Sequence, residues 1–218
     1  MKIAVITAIF GRMESEKPFA PQSVPCDRFV FTEANTPIPL PNLPPRLQAK
    51  YFKLQANRIP FSSHYDVFVW IDGNIEVTSP DFVKEMVERL KPGGERVKIQ
   101  KHHERQTIGE EIDFILSSKN EYLTTRYGKQ PLQAEYGYYL SCGMPADAPL
   151  YSCNIFAYHI GAAALLNHWW TLVLQWSWFD QSAFSYLAWL NGGVTTIDLG
   201  PMFDNPYFKL HSHDNWNQ

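Results

Sequence analysis

An acidic turn, a basic helix, an Asp-Gln pair and two tail histidines carry most of the chemistry open to this chain. Asp72 and Asn74 flank Gly73, so a tight turn could aim a carboxylate and an amide oxygen at one hard cation. The same three residues also suit a turn chosen for its backbone alone. His211 and His213 alternate, which in an extended segment puts both imidazoles on one side. Asp72, Asn74, one imidazole and two diphosphate oxygens would complete the mixed oxygen and nitrogen octahedron that suits manganese or magnesium. Such an ion would neutralise a departing diphosphate. Asp180 and Gln181 either open a helix, with Asp180 as its cap, or meet sugar hydroxyls, with Asp180 as a general base. Arg105, between His102-His103 and Glu110-Glu111, is either a phosphate clamp or a member of a surface network. Lys50 and Lys53 carry the same two readings, with at least one of them solvated.

Elements must hold these residues in place, and the hydropathy pattern supplies them. Lys2 to Phe10 reads as a first strand rather than a leader, ending in Thr7-Ala8-Ile9-Phe10-Gly11, where small residues let the backbone approach a ligand. Eight of the 16 prolines fall between Pro18 and Pro45, which makes those segments extended loops. A helix with a basic edge follows from Arg46 to Arg58. Asp66 to Ile71 is a continuous apolar strand of the kind covered on both faces. Ser79-Pro80 then opens a helix with the stripe Phe82, Val83, Met86, Val87 and Leu90, closed by Pro92-Gly93-Gly94. Strand, helix and then a strand at Val97 to Gln100 predicts parallel pairing of the two strands. Residues 120–149 have the weakest periodicity and read as a lid or acceptor-side insertion. After them come a strand from Tyr151 to Ile160, a chargeless helix from Gly161 to Trp176 assigned to the core, a helix from Gln181 to Leu190 and a last strand from Val194 to Leu199. The expected fold class is α/β, a Rossmann-like, mostly parallel sheet flanked by helices, in one domain over residues 1–218.

Composition narrows the function. A net charge of −3 excludes a global basic field for nucleic acid or an anionic membrane, so an anionic ligand must be held locally. The apolar run from Ile155 to Leu174 contains His159, Asn167 and His168, so no integral membrane segment is expected and the chain reads as cytoplasmic. Cys26, Cys142 and Cys153 read as reduced thiols. Five of the seven Trp lie between Trp169 and Trp189, suggesting a ring-lined core or a cleft on which a sugar would stack. No P-loop, G-x-G-x-x-G, H-E-x-x-H or G-x-S-x-G spacing occurs.

In sequence order, Thr7 to Gly11, the helix with Lys50 and Lys53, Trp70-Ile-Asp-Gly-Asn74, His102-His-Glu-Arg105 with Glu110-Glu111, His168-Trp169-Trp170 and Asp180-Gln181 resemble a glycosyltransferase-like family. That family, formerly catalogued as a domain of unknown function, includes plant cell-wall transferases and is related to the glycogenin-type transferases of GT-A fold. The resemblance covers most of residues 1–200. It implies a metal-dependent, hexosyltransferase-like enzyme moving a sugar from a nucleotide diphosphate donor, with uridine the expected base, to a glycan or other hydroxyl acceptor. It also implies that Thr7, Ala8, Phe10 and Gly11 lie beneath the nucleotide, with Lys50, Lys53, Asp72 and Gly73 on the donor. Asp72 and Asn74 would match the Asp-x-Asp metal site, His211 or His213 the C-terminal metal histidine, and Asp180, Gln181 and Arg105 the catalytic set. Asn74 in place of a second acid removes one charge, which should weaken the metal or shift its ligation. A non-catalytic nucleotide-sugar or carbohydrate-binding protein is the alternative, and a hydrolase built on His211, His213 and Asp214 ranks last.

Overall fold

The computed structural model describes residues 1–90 and 96–213. Six strands form one sheet: β1 (Ile3–Ala8), β2 (Asp27–Phe31), β3 (Val67–Ile71), β5 (Val97–Lys101), β6 (Tyr151–His159) and β7 (Thr195–Thr196), in the order β2-β1-β3-β6-β5-β7. A small second sheet pairs β4 (Ile75–Val77) with β8 (Phe208–Leu210). Seven described helices complete the order: α1 (Pro45–Leu54), α2 (Phe82–Val87), α3 (Ile108–Ser117), α4 (Glu121–Tyr127), α5 (Leu132–Ser141), α6 (Ala163–Gln175) and α7 (Asp180–Leu190). The fold is α/β, with a mostly parallel central sheet flanked by helices.

The central strands are apolar throughout because both faces are covered, as in α/β sheets generally. Side chains alternate between two cores. Ala4, Ile6, Ala8, Phe68, Trp70, Phe156 and Tyr158 pack with α1, α3, α5, α6 and α7. Ile3, Val5, Val67, Val69, Ile71, Ile155 and Ala157 pack with α2, β4 and β8. The expected stripe Phe82, Val83, Met86, Val87 and Leu90 is buried in that second core. The helix it belongs to starts at Phe82, because Ser79 Oγ turns back to accept from the Asp81 amide at 3.2 Å. Its expected stop, Pro92-Gly93-Gly94, lies outside the described residues.

Several expectations are corrected. β3 and β5 run in the same direction but do not pair: β6 is inserted between them, antiparallel to both. The chargeless helix is α6, and it buries only Leu166, Trp169, Leu172 and Val173, while Ala164, His168, Thr171, Leu174 and Gln175 face solvent. The enclosed helix is α7, buried from Ser182 to Ala188. Residues 120–149 hold two helices, α4 and α5, and the last strand shrinks to Thr195–Thr196.

Candidate functional site

A cleft of about 340 Å³ opens where β1, β3 and β5 end, the edge at which parallel sheets place ligands. Ala8 and Phe10 follow from β1, Asp72, Gly73 and Asn74 from β3, and His102 and His103 from β5. β6 runs the other way, so its beginning reaches the same edge. A break in its register with β5 between Ile99 and Gln100 accompanies Ser152, Cys153 and Asn154 into the lining. α1 forms one wall through Arg46, Ala49, Lys50 and Lys53, and α4 the opposite one through Tyr122, Leu123, Arg126 and Tyr127.

At the floor lies a buried ion cluster. Lys50 Nζ and Lys53 Nζ stand 2.9 and 2.7 Å from Asp180 Oδ2, and all three side chains are at most 8% exposed. Lys53 Nζ also stands 3.5 Å from Asp72 Oδ1, which accepts from Trp70 Nε1 at 2.6 Å. Both lysines are therefore buried, contrary to the solvated reading. One carboxylate stabilises two ammonium groups, and the field is uneven. Burial pushes Lys50 down to about 8, against the pull of Asp180. Burial acts on Lys53 too, but Asp180 and Asp72 together hold it above its ordinary value. For Asp180 the burial penalty is overcome by Lys50 and Lys53, which hold its carboxyl well below the usual range. A carboxylate so acidic and so fully engaged is a poor general base. Nor does Asp180 act as a cap: the cap position is Phe179, and the Asp180 carbonyl accepts from Trp169 Nε1 at 2.9 Å. Gln181 lines the cleft, and its buried Oε1 has no hydrogen-bond partner among the described residues.

The turn after Trp70 and the tail do meet. Asn74 and His211 exchange a backbone bond of 2.9 Å, and β4 pairs with β8 from Ile75 opposite Leu210 to Val77 opposite Phe208. That contact engages Asn74 through its side-chain N–H and not through the oxygen expected to bind metal. Asn74 Nδ2 donates to the His211 carbonyl at 2.9 Å, and His211 Nε2 sits 2.8 Å from Glu76 Oε2. His213 does reach the cleft, held between Glu14 Oε1 and the Tyr122 hydroxyl, the latter at 2.8 Å. Asp214 lies outside the described residues. Among the described residues no three His, Cys, Asp or Glu side chains converge as a metal site; of the four expected donors, Asp72, Asn74 and His213 line the one cleft and His211 does not.

Other expected residues also sit elsewhere. Arg105 does not line the cleft, because its guanidinium pairs with Glu111 and, at 2.7 Å, with Glu104, over the ring of Phe114. Thr7 has the parity of Ile3 and Val5 on β1 and is absent from the lining. Gly11 is a backbone device: φ is +71°, and a Cβ there would meet Pro45 Cβ at 2.7 Å, so only glycine lets this turn close on the start of α1. None of the five Trp between Trp169 and Trp189 lines the cleft either. Trp169 is core, Trp170 stacks edge-on against Tyr51, and the cleft takes its rings from Phe10, Trp70, Tyr122, Tyr127 and Phe179. The three thiols are free, with Cys153 buried. Burial is the main cause that pushes His102 down to about 4, which leaves it neutral at pH 7.

Two lining residues were missed. Arg46 precedes Lys50 by four residues and Lys53 by seven, so a single helical face of α1 carries all three cations; the spacing was a usable signal. Arg126, on α4, had none. No helix among the described residues is long and apolar enough to cross a membrane. No family model matches the chain, and no curated protein matches it significantly.

Proposed function

We propose that this chain is a glycosyltransferase of GT-A type that takes a sugar from a nucleotide diphosphate donor, with uridine the expected base, to a hydroxyl acceptor. The observation that carries the reading is the buried Lys50–Asp180–Lys53 cluster beside Asp72 at the carboxyl edge of the sheet, in a cleft large enough for a small-molecule ligand. Two ammonium groups held in place by one carboxylate leave a fixed positive field where a departing diphosphate gains charge. Preorganised charge of this kind lowers a barrier without reorganisation during the reaction. Gln181 Oε1 offers an acceptor to a donor hydroxyl, and Phe10 and Trp70 offer apolar ring surface. Asp72 is more exposed than Asp180, 36% open, and lines the cleft. No step of this reading passes through a divalent ion.

The test is turnover of a panel of uridine diphosphate sugars, read as release of the nucleotide. Asp72→Ala is expected to lower that rate by roughly 100-fold, the scale of losing one electrostatic element of an active site. The parental rate in a folded Asp72→Ala protein would remove Asp72 from the machinery. Donor binding with no turnover of any sugar would favour the non-catalytic alternative.

Acidity adds a second expectation. Lys50 is charged below about pH 8 and neutral above it, with Asp180, Lys53 and Arg126 as the charged groups acting on it. A bound diphosphate favours the charged form, so binding should take up protons near pH 8 and weaken as pH rises beyond it. Calorimetry in buffers of different ionisation enthalpy reads this uptake. Lys50→Met should abolish it; unchanged uptake in that variant would assign the proton elsewhere.

A further inference from the structure

Four cations, Arg46, Lys50, Lys53 and Arg126, and four carboxylates, Glu14, Asp72, Glu111 and Asp180, line the cleft, but they are not all paired with one another. Of its carboxylates, Glu111 pairs with Arg105 and Glu14 with His213, which leaves Asp72 and Asp180 to face Arg46, Lys50, Lys53 and Arg126. Asp180 is taken by the two lysines. Neither Arg46 nor Arg126 has a carboxylate partner among the described residues. Arg126 lies over two rings, 5.3 Å from Tyr122 and 5.2 Å from Tyr127, which supports the side chain while leaving its edge available for hydrogen bonding. Arg46 sits at the first turn of α1, which has no side-chain cap and no acidic residue, so nothing in that turn neutralises the positive end of the helix. Arg46 and Arg126 line the same cleft, and burial first, and then the Arg126 charge, pulls the Arg46 pKa below its ordinary value. Two like charges lining one cleft suit an anion bound by both.

We propose that Arg46 and Arg126 form a guanidinium clamp that grips the diphosphate between α1 and α4, so that the protein's own cations hold it without a metal ion. The inference rests on the donor class proposed above. Guanidinium forks bind phosphate oxygens in pairs, which suits a diphosphate better than a point charge would.

Calorimetric titration of the full chain with inorganic pyrophosphate, and separately with uridine diphosphate, both in EDTA, tests this. Both ligands should bind. Arg46→Gln and Arg126→Gln should each weaken both by about tenfold or more, the scale of one charge-assisted contact. Arg126→Lys, which keeps the charge and loses the fork, should fall between. Near-ultraviolet dichroism identifies any variant that fails to fold, and Arg126→Lys then carries the comparison. Pyrophosphate that does not bind, uridine diphosphate that binds only with manganese, or folded Gln variants of parental affinity would each overturn the clamp. Pyrophosphate binding that the variants lose, with no added affinity for the nucleotide, would keep the clamp and sink the donor reading.

Discussion

Asp180→Ala should destabilise the protein by about 3–5 kcal/mol, the cost of removing one partner from a buried ion pair. The loss is large because Lys50 and Lys53 are both buried and Asp180 is the carboxylate they share. Lys53 keeps a distant partner in Asp72 at 3.5 Å, whereas Lys50 has no second carboxylate partner among the described residues. A second substitution, Lys50→Met, should therefore restore more than half of the lost stability, since it removes the stranded charge and leaves an apolar stem of similar length. Urea unfolding at pH 7 of the parent, the single variant and the double variant gives the comparison. A single variant within about 1 kcal/mol of the parent would mean that the cluster is hydrated in solution, and the fixed field on which the proposed chemistry depends would go with it.

The second large effect concerns Glu135, which lies on α5 away from the cleft and is fully buried. Its Oε1 accepts from the Tyr139 hydroxyl at 2.8 Å, and its Oε2 is bonded to Ser177 Oγ. Burial raises its pKa from the ordinary 4.5 to about 7, more than these hydrogen bonds lower it. The native state thus binds a proton that the unfolded chain has already released between pH 4.5 and 7. Stability from this group is present below pH 4.5 and is lost as pH rises through 7, on the order of 3 kcal/mol in all. Glu135→Gln keeps a hydrogen-bonding amide without a titration. Its unfolding free energy should match the parent's near pH 4 and exceed it at pH 8. Parallel curves for the two proteins across that range would show that the carboxyl titrates normally.

Strands and their faces were legible because burial on both sides leaves runs such as Val67 to Ile71 with no polar interruption, and the α2 stripe repeats at helical spacing. The meeting of the Asp72 turn with the tail was legible as well, from the pairing of an acidic turn with alternating histidines. What those residues do on meeting was not. Asn74 and His211 read as donors to an ion, yet the Asn74 side-chain N–H goes to the His211 carbonyl and the His211 imidazole faces Glu76. Sheet order was hidden because nothing local in Tyr151 to His159 says that it enters between β3 and β5. Lysine burial depends on a carboxylate on another helix, which no window along α1 contains. Arg126 sits in the stretch of weakest periodicity, and its importance is visible only once α4 is seen against α1.

The position of β6 has a consequence for assembly. β3 and β5 are joined only through it, so when the first 150 residues have emerged from synthesis the nascent sheet is the ribbon β2-β1-β3 and a lone β5, each with a raw inner border. Such borders recruit foreign strands until the right one arrives. Closing the gap needs partners far apart along the polypeptide, which slows the search. Renaturation of this protein is thereby tied to how long that vacancy stays open, and dilution or a chaperone that shields the two borders would raise its yield more than any added stability of the finished sheet.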